Sequence, residues 1–327
     1  MDFSLPRRTL LRALEAARAI VDQKAAHPLL RTAHLSANGA ELVVTASDLV
    51  LTYRVTLPAA VKVPGSVCVP VSILREVVAR MAEGDVRVTV EKLGVSVRGT
   101  GARTASKLPA TDGADYPAVP LASEAPGLQR RTIPAQALAD VRRLTRYAQS
   151  TDDARPHLCA TLLEFLPDSI RAVTTDGHRL SMASRAIPAS TGQPGARILI
   201  PARSLARMAL PESGEIIVEH GGATRPTWIT HAMEGTPGAT VTWCTKLVDA
   251  DFPSYEQVVP QSWNGHVECA RAELLDALSA CASVARAACG SARERRTSRS
   301  TRRTPTRARS AIVWTRSASG ACPKSSA

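Results

Sequence analysis

The stretch Val173-Thr174-Thr175-Asp176-Gly177-His178-Arg179-Leu180 decides how this chain is read, because its first half occurs twice. Thr45-Ala46-Ser47-Asp48 stands 128 residues before Val173-Thr174-Thr175-Asp176. Each is a short β-prone run that ends in a turn-forming Asp, the pattern of a strand entering a hairpin. Outward from this pair, Leu5-Pro6 returns as Ile133-Pro134, Leu10 as Leu138, and His27-Pro28-Leu29-Leu30 as Arg155-Pro156-His157-Leu158, all at the same spacing. Val67-Cys68-Val69-Pro70 returns as Ile198-Leu199-Ile200-Pro201 at an offset of 131, and Asp115-Tyr116-Pro117 as Asp251-Phe252-Pro253 at 136. Ordered matches with a slowly growing offset specify an internal duplication. Two homologous domains follow, 1–125 and 126–262.

Each copy carries the same element pattern. A helix opens it, Thr9 to Val21 with Leu10, Leu14, Ala17 and Val21 on one stripe, and Pro134 to Gln149 in the second copy. Alternating strands follow, such as 41–45 and 170–174. A short second helix is expected near Ser72–Met81 and Ala202–Met208, with further strands at 86–90 and 215–219. Helices interleaved with antiparallel hairpins predict an α+β fold.

A third copy begins at 263–284, where Ala272-Glu273-Leu274-Leu275-Asp276-Ala277-Leu278 reads as another opening helix. After Leu278 there is no further Leu, Asp, Phe or Tyr. The segment 285–327 is rich in Arg, Ser, Thr and Ala, which buries too little apolar surface to offset its ordering entropy, so it is expected to be a basic, disordered tail. The abrupt change reads as a truncated or frame-shifted third repeat, and translation of the other two frames of the gene tests that.

Composition narrows the function. The net charge of +12 is concentrated at the end: from Arg286 onward there are ten Arg, one Lys and one Glu, which leaves only +2 in residues 1–285. Bulk charge is therefore no argument that the folded part binds nucleic acid; the positions of its charges are. Aromatic residues make up 3% of the chain, so the cores are aliphatic. The seven cysteines form no CxxC pair, which argues against a zinc site or a disulfide framework. No signal peptide or membrane span is read, and the expected location is the cytoplasm.

No catalytic constellation stands out. Asp176 and His178 are an acid/base pair on paper, but they lack a nucleophile and an orienting partner, whereas Asp-Gly is an ordinary hairpin turn. Gly99-Thr100-Gly101-Ala102-Arg103-Thr104-Ala105-Ser106-Lys107 fails the spacing of a phosphate-binding loop. Neither a cofactor, a metal nor a catalytic residue is expected.

Thr175-Asp176-Gly177-His178-Arg179-Leu180 resembles the signature of the second domain of the bacterial beta sliding clamp family. Phe252-Pro253-Ser254-Tyr255-Glu256-Gln257-Val258-Val259-Pro260 is similar to the linker after that domain. Ser106-Lys107-Leu108-Pro109 with Asp115-Tyr116-Pro117 resembles the end of the first, and Lys24 with His27-Pro28-Leu29-Leu30 its beginning. The resemblance runs to about residue 280. It implies a DNA-clamp fold, a role as the processivity subunit of DNA polymerase III without chemistry of its own, and double-stranded DNA as a partner. It also implies binding of the polymerase alpha subunit, the clamp loader and other proteins bearing a clamp-binding peptide. Family members form homodimeric rings of three-domain subunits; with its third repeat broken off, this chain is expected to be a monomer that does not close one. The positions that match the domain-two side of the family's peptide groove are Leu158, Thr175, Gly177, His178, Arg179, Leu180, Pro253, Gln257 and Val258. For the DNA-facing helices the matching cations are Arg75, Arg80, Arg142, Arg143, Arg146, Arg203 and Arg207, each of which also fits a solvated helix face, and Lys24 falls where the family has a basic DNA-contacting loop residue. The competing reading is a structural nucleic-acid-binding protein acting through its Arg-rich tail, by electrostatics alone.

Overall fold

Residues 1–22, 24–91, 94–188, 195–221, 225–260, 262 and 268–294 are described in a computed structural model of the chain. Met1–Phe252 form one compact unit, and the segment that starts at Pro253 belongs to a second.

The first copy runs β1 (Asp2–Pro6), α1 (Arg7–Ile20), β2 (Thr32–Asn38), β3 (Glu41–Ser47), β4 (Leu51–Pro58), β5 (Ala60–Val63), β6 (Gly65–Pro70), α2 (Val71–Ala79), β7 (Asp85–Glu91), β8 (Gly94–Gly99) and β9 (Ser106–Leu108). A two-residue strand, β10 (Thr111–Asp112), leads out of it. The second copy runs β11 (Gln129–Pro134), α3 (Ala135–Thr145), β12 (Ala160–Phe165), β13 (Ser169–Thr175), β14 (Leu180–Ala186), β15 (Ala196–Pro201), α4 (Ala202–Arg207), β16 (Glu215–His220), β17 (Thr227–Ala232) and β18 (Thr240–Thr245).

Proline drives the strand-to-helix changes. Pro6, Pro70, Pro134 and Pro201 each end a strand and cap the next helix, with φ between −52° and −59°. The ring fixes φ and supplies no N–H, so the strand pairing stops there and nothing is lost at the first helical turn. The first residue of α1 and of α3 is anchored alike: Arg7 N donates to Gly84 O and Ala135 N to Gly214 O, both at 2.9 Å.

The two copies share one sheet topology. Strands β1-β7-β8-β9 are neighbours in the first, and β11-β16-β17-β18 in the second. Likewise β6-β2-β3-β4 corresponds to β15-β12-β13-β14. The copies are joined strand to strand: β4 pairs antiparallel with β18, from Leu51 opposite Thr245 to Thr56 opposite Thr240, and so completes a nine-stranded sheet. This pairing is why both copies fall in one compact unit.

The cores are aliphatic, as the composition implies, and are filled from the helix stripes. Leu10, Ala13, Leu14, Ala17 and Ile20 of α1 are fully buried and the helix packs on α2, β3 and β4. Burying each Leu or Ile is worth about 1.5–3 kcal/mol. The largest buried aromatic side chains, Trp228, Trp243 and Tyr53, sit on β17, β18 and β4, beside the junction.

Beyond the second copy, Tyr255–Gln257 form a single 3-10 turn and Arg271–Glu294 form α5. The helix expected at 272–278 lies inside α5. It continues past the boundary expected at 284, because Ala, Arg, Ser and Cys fill this run without a Pro, so the tail assigned to 285–327 begins as helix. The rest of that tail, 295–327, lies outside the described residues.

Candidate functional site

The β13–β14 hairpin is built on a turn locked by its own side chains. Asp176 Oδ1 accepts the backbone N–H of His178 at 2.9 Å and of Arg179 at 3.0 Å, and its Oδ2 takes Arg179 Nε at 3.0 Å. Burial pushes the Asp176 carboxyl up, but these donors outweigh it and hold the group below the usual carboxylate range. Thr175 Oγ1 donates to Arg179 O at 2.8 Å and accepts from Gly177 N at 3.1 Å. Gly177 has φ +87°, which suits a residue without Cβ. Thr174 Oγ1 to Thr145 O (2.7 Å) and Ser181 Oγ to Leu144 O (3.1 Å) tie the hairpin to the end of α3.

The first copy repeats this turn. Asp48 Oδ1 accepts from Val50 N and Leu51 N, and Leu49 N donates to Ser47 Oγ. Leu49 takes the left-handed place of Gly177, at φ +72°, with a half-exposed side chain. The difference lies in Oδ2, which receives Arg207 of α4 at 2.9 Å. Lys246 N also donates to Val50 O at 2.9 Å. The turn of the first copy thus docks on the second copy, whereas that of the second holds its own Arg179.

Of the positions matched to a peptide groove, Leu158 and Thr175 are buried, Leu180 is half-buried, and Gly177, His178 and Arg179 are exposed around the turn. The Arg179 guanidinium lies 5.8 Å from the ring centre of Tyr147, which is itself half-exposed. Arg155, salt-bridged to Asp152, approaches Gly177. Tyr147, Arg155 and Asp176 were not among the groove positions; the repeat marks Asp176 through Asp48 and Arg155 through His27, and no spacing signal marks Tyr147. Asp176 is taken up by backbone donors and Arg179, so it orients the turn and does not serve the His178 imidazole. Pro253, Gln257 and Val258 are exposed in the second unit, where Val258 N donates to Tyr255 O at 3.0 Å.

The matched cations divide by what they touch. Lys24, Arg80, Arg143, Arg146 and Arg203 are exposed. Arg80 pairs with Glu76 and Arg143 with Asp140, both on their own helices, while Arg146 makes no ion pair among the described residues. Arg75 is half-buried and reaches Glu15 at 3.5 Å. Arg142 and Arg207 serve the fold. Arg142 Nη1 donates to Leu205 O at 3.0 Å and Met208 O at 2.8 Å, closing the end of α4. Burial, then the neighbouring Arg146, pushes its pKa down from the usual guanidinium range. Arg142, Arg143 and Arg146 line one cleft of about 300 Å³ between α3 and α4, floored by Ala139, Leu205 and Ala206. Asp140 lies in the same lining and pairs with Arg143, which leaves Arg142 and Arg146 as the cations there without an ion pair among the described residues.

Among the described residues no three metal-ligating side chains gather, and no helix is long and apolar enough to cross a membrane. Cys68 and Cys244 are buried free thiols, and burial raises both, Cys244 to about 12.

Comparison with known proteins adds to this geometry. Residues 1–120 match the model of the N-terminal domain of the DNA polymerase III beta subunit, and residues 132–254 the model of its central domain. A beta sliding clamp of Pseudomonas aeruginosa is 32% identical over 289 residues, spanning 85% of this chain and 73% of that relative. One from Caulobacter vibrioides is 27% identical over 268 residues, 80% of this chain and 69% of its own length. The crystal structure of the DNA polymerase III subunit beta from Pseudomonas aeruginosa aligns with a TM-score of 0.67 at 28% identity, over 81% of this chain and 69% of that one. The sliding clamp of Bacillus subtilis, at 19% identity and TM-score 0.70, covers 80% of this chain and 68% of its own, and speaks to the fold alone.

Proposed function

The chain belongs to the DNA polymerase III beta subunit family, and from that premise we propose that it acts as a sliding-clamp subunit, tethering DNA polymerase III to duplex DNA without chemistry of its own. The observation that carries this reading is the nine-stranded sheet: two copies of one module, joined edge to edge through β4 and β18, form one compact unit. The strand β14, counterpart of β4, has no partner on its outer edge among the described residues. A further module of the same kind, on this chain or another, adds there by the same pairing.

On this reading Arg143, Arg146, Arg203, Lys24 and Arg80 meet phosphates loosely and read no bases, which suits a protein that slides. The turn 176–179, with Leu158 and Leu180 as apolar wall, offers a surface for short peptides of the polymerase alpha subunit, the clamp loader and other partners, and Pro253, Gln257 and Val258 are further positions matched to the family's groove. Tethering works through effective concentration more than through tight contact. The family match lies within 1–254 and owes nothing to the Arg-rich tail, so tail-driven nucleic-acid binding is not the function favoured.

Primer extension by DNA polymerase III with its clamp loader tests the proposal. Products lengthen when the chain is added, and the gain disappears with Leu180→Ala combined with Val258→Ala. Product lengths that ignore the chain overturn it.

A further inference from the structure

A cleft of about 200 Å³ opens where β4 meets β18, beside the segment 119–123 that leads from one copy to the next. Val119, Leu121, Trp228 and Cys244 give it an apolar lining, and Arg54 adds a cation. The Trp228 indole N–H donates to Pro120 O at 3.1 Å, which ties the segment to β17. Across the cleft Thr230 and Thr242 join their hydroxyls at 3.2 Å. Arg54 is half-buried and makes no ion pair among the described residues.

The internal repeat gives this cleft a meaning. Pro117, Leu121 and Ala122 lie 136 residues before Pro253, Gln257 and Val258, the offset of the Asp115/Asp251 match. Ser47, Leu49 and Thr52 hold the places of Thr175, Gly177 and Leu180 in the equivalent hairpin, as the shared turn hydrogen bonds and the pairings of Ser47 with Thr52 and Thr175 with Leu180 show, and Thr52 lines the cleft. The elements that carry the groove positions of the second copy therefore have counterparts in the first, where β17 and β18 supply the facing wall. Drug-sized ligands need roughly 300–1,000 Å³; this cleft is smaller and takes one branched or aromatic side chain.

We propose that the β4–β18 cleft is a second peptide site, which takes one apolar side chain of an extended partner segment and holds a neighbouring carboxylate of that segment on Arg54. The proposal rests on the groove reading of the second copy, through the repeat. Arg54 sets the charge preference: a buried-edge cation without an acid partner favours an acidic ligand and disfavours a basic one.

Titration of the ¹⁵N-labelled full chain with acetyl-Leu-Glu-Leu-amide tests it. The indole N–H resonance of Trp228, assigned by its loss in Trp228→Phe, reports the cleft, and the His178 backbone amide reports the groove. The Trp228 resonance shifts saturably; Arg54→Ala weakens that binding about three- to fivefold, the range of a partly exposed ion pair, and Arg54→Lys restores most of it. Val258→Ala leaves the Trp228 response unchanged. A Trp228 resonance that stays put while His178 responds overturns the second site alone, as does an affinity indifferent to Arg54→Ala. If neither moves, both peptide readings fail; if only Trp228 moves, the second site stands and the groove reading falls.

Discussion

Replacing Arg142 and Arg146 one at a time separates the fold from the DNA surface, because the two side chains share a cleft and do different things in it. Arg142→Met keeps the apolar stem and removes the guanidinium, with its hydrogen bonds to Leu205 O and Met208 O. A hydrogen bond to a charged group contributes about 1.5–3 kcal/mol, and two carbonyls at the end of a six-residue helix lose their donor. Since the side chain is partly solvated, the expected loss is about 2–3 kcal/mol for the pair. At about 2–4 °C per kcal/mol for a domain of this size, Tm falls by about 4–12 °C. Arg146→Ala removes an exposed side chain with no ion pair among the described residues, so stability changes by less than about 0.5 kcal/mol. If it meets a phosphate, the slope of log K against log salt for duplex DNA becomes shallower by about 0.9. Calorimetry and fluorescence anisotropy at several salt concentrations read the two effects. The reasoning is refuted if Arg142→Met leaves Tm unchanged, or if Arg146→Ala lowers Tm as much as Arg142→Met does while the salt slope stays the same.

Other outcomes follow from the same contacts. Burial lowers the pKa of His34, His220 and His231 below 6.5, so the folded state resists a proton that the unfolded state takes up; stability is intact above about pH 6.5 and falls as pH drops below it, by up to about 1.4 kcal/mol per pH unit per histidine, as urea titrations between pH 7.5 and 5 will show. Leu49→Gly relieves the left-handed backbone at φ +72° for little lost burial and raises stability by up to about 1 kcal/mol, read as the urea midpoint. Asp48→Asn keeps the Oδ1 acceptor but breaks the ion pair with Arg207, which lowers stability by about 0.5–1 kcal/mol, and the loss vanishes when Arg207 is already Met. Iodoacetamide at pH 8 modifies exposed Cys269 within minutes and spares Cys244, which is buried and raised to about 12; mass spectrometry of the native chain checks the order.

Much of the architecture is legible in the sequence because the duplication is. Leu5-Pro6 with Ile133-Pro134 and Val69-Pro70 with Ile200-Pro201 mark the four strand-to-helix turns, and the α1 stripe announces its buried face. The union of β4 with β18 is not legible, since no turn links them and each reads only as an alternating strand; which edges meet is a tertiary choice. At the site, spacing puts Arg142, Arg143 and Arg146 near one another but cannot say that Arg142 is taken by the carbonyls of α4, or Arg207 by Asp48. Nor does it reveal the task of Asp176, whose meaning comes from comparing its turn with that of Asp48, where the same hydrogen bonds recur and only the Oδ2 partner differs.

Surface plasmon resonance of this chain over immobilised DNA polymerase III alpha subunit probes the tethering role most directly. The role requires saturable binding that Leu180→Ala with Val258→Ala abolishes while Tm stays within about 2 °C of the parent, since both side chains are at least partly exposed. Absence of binding, or binding that the double substitution leaves untouched, contradicts it.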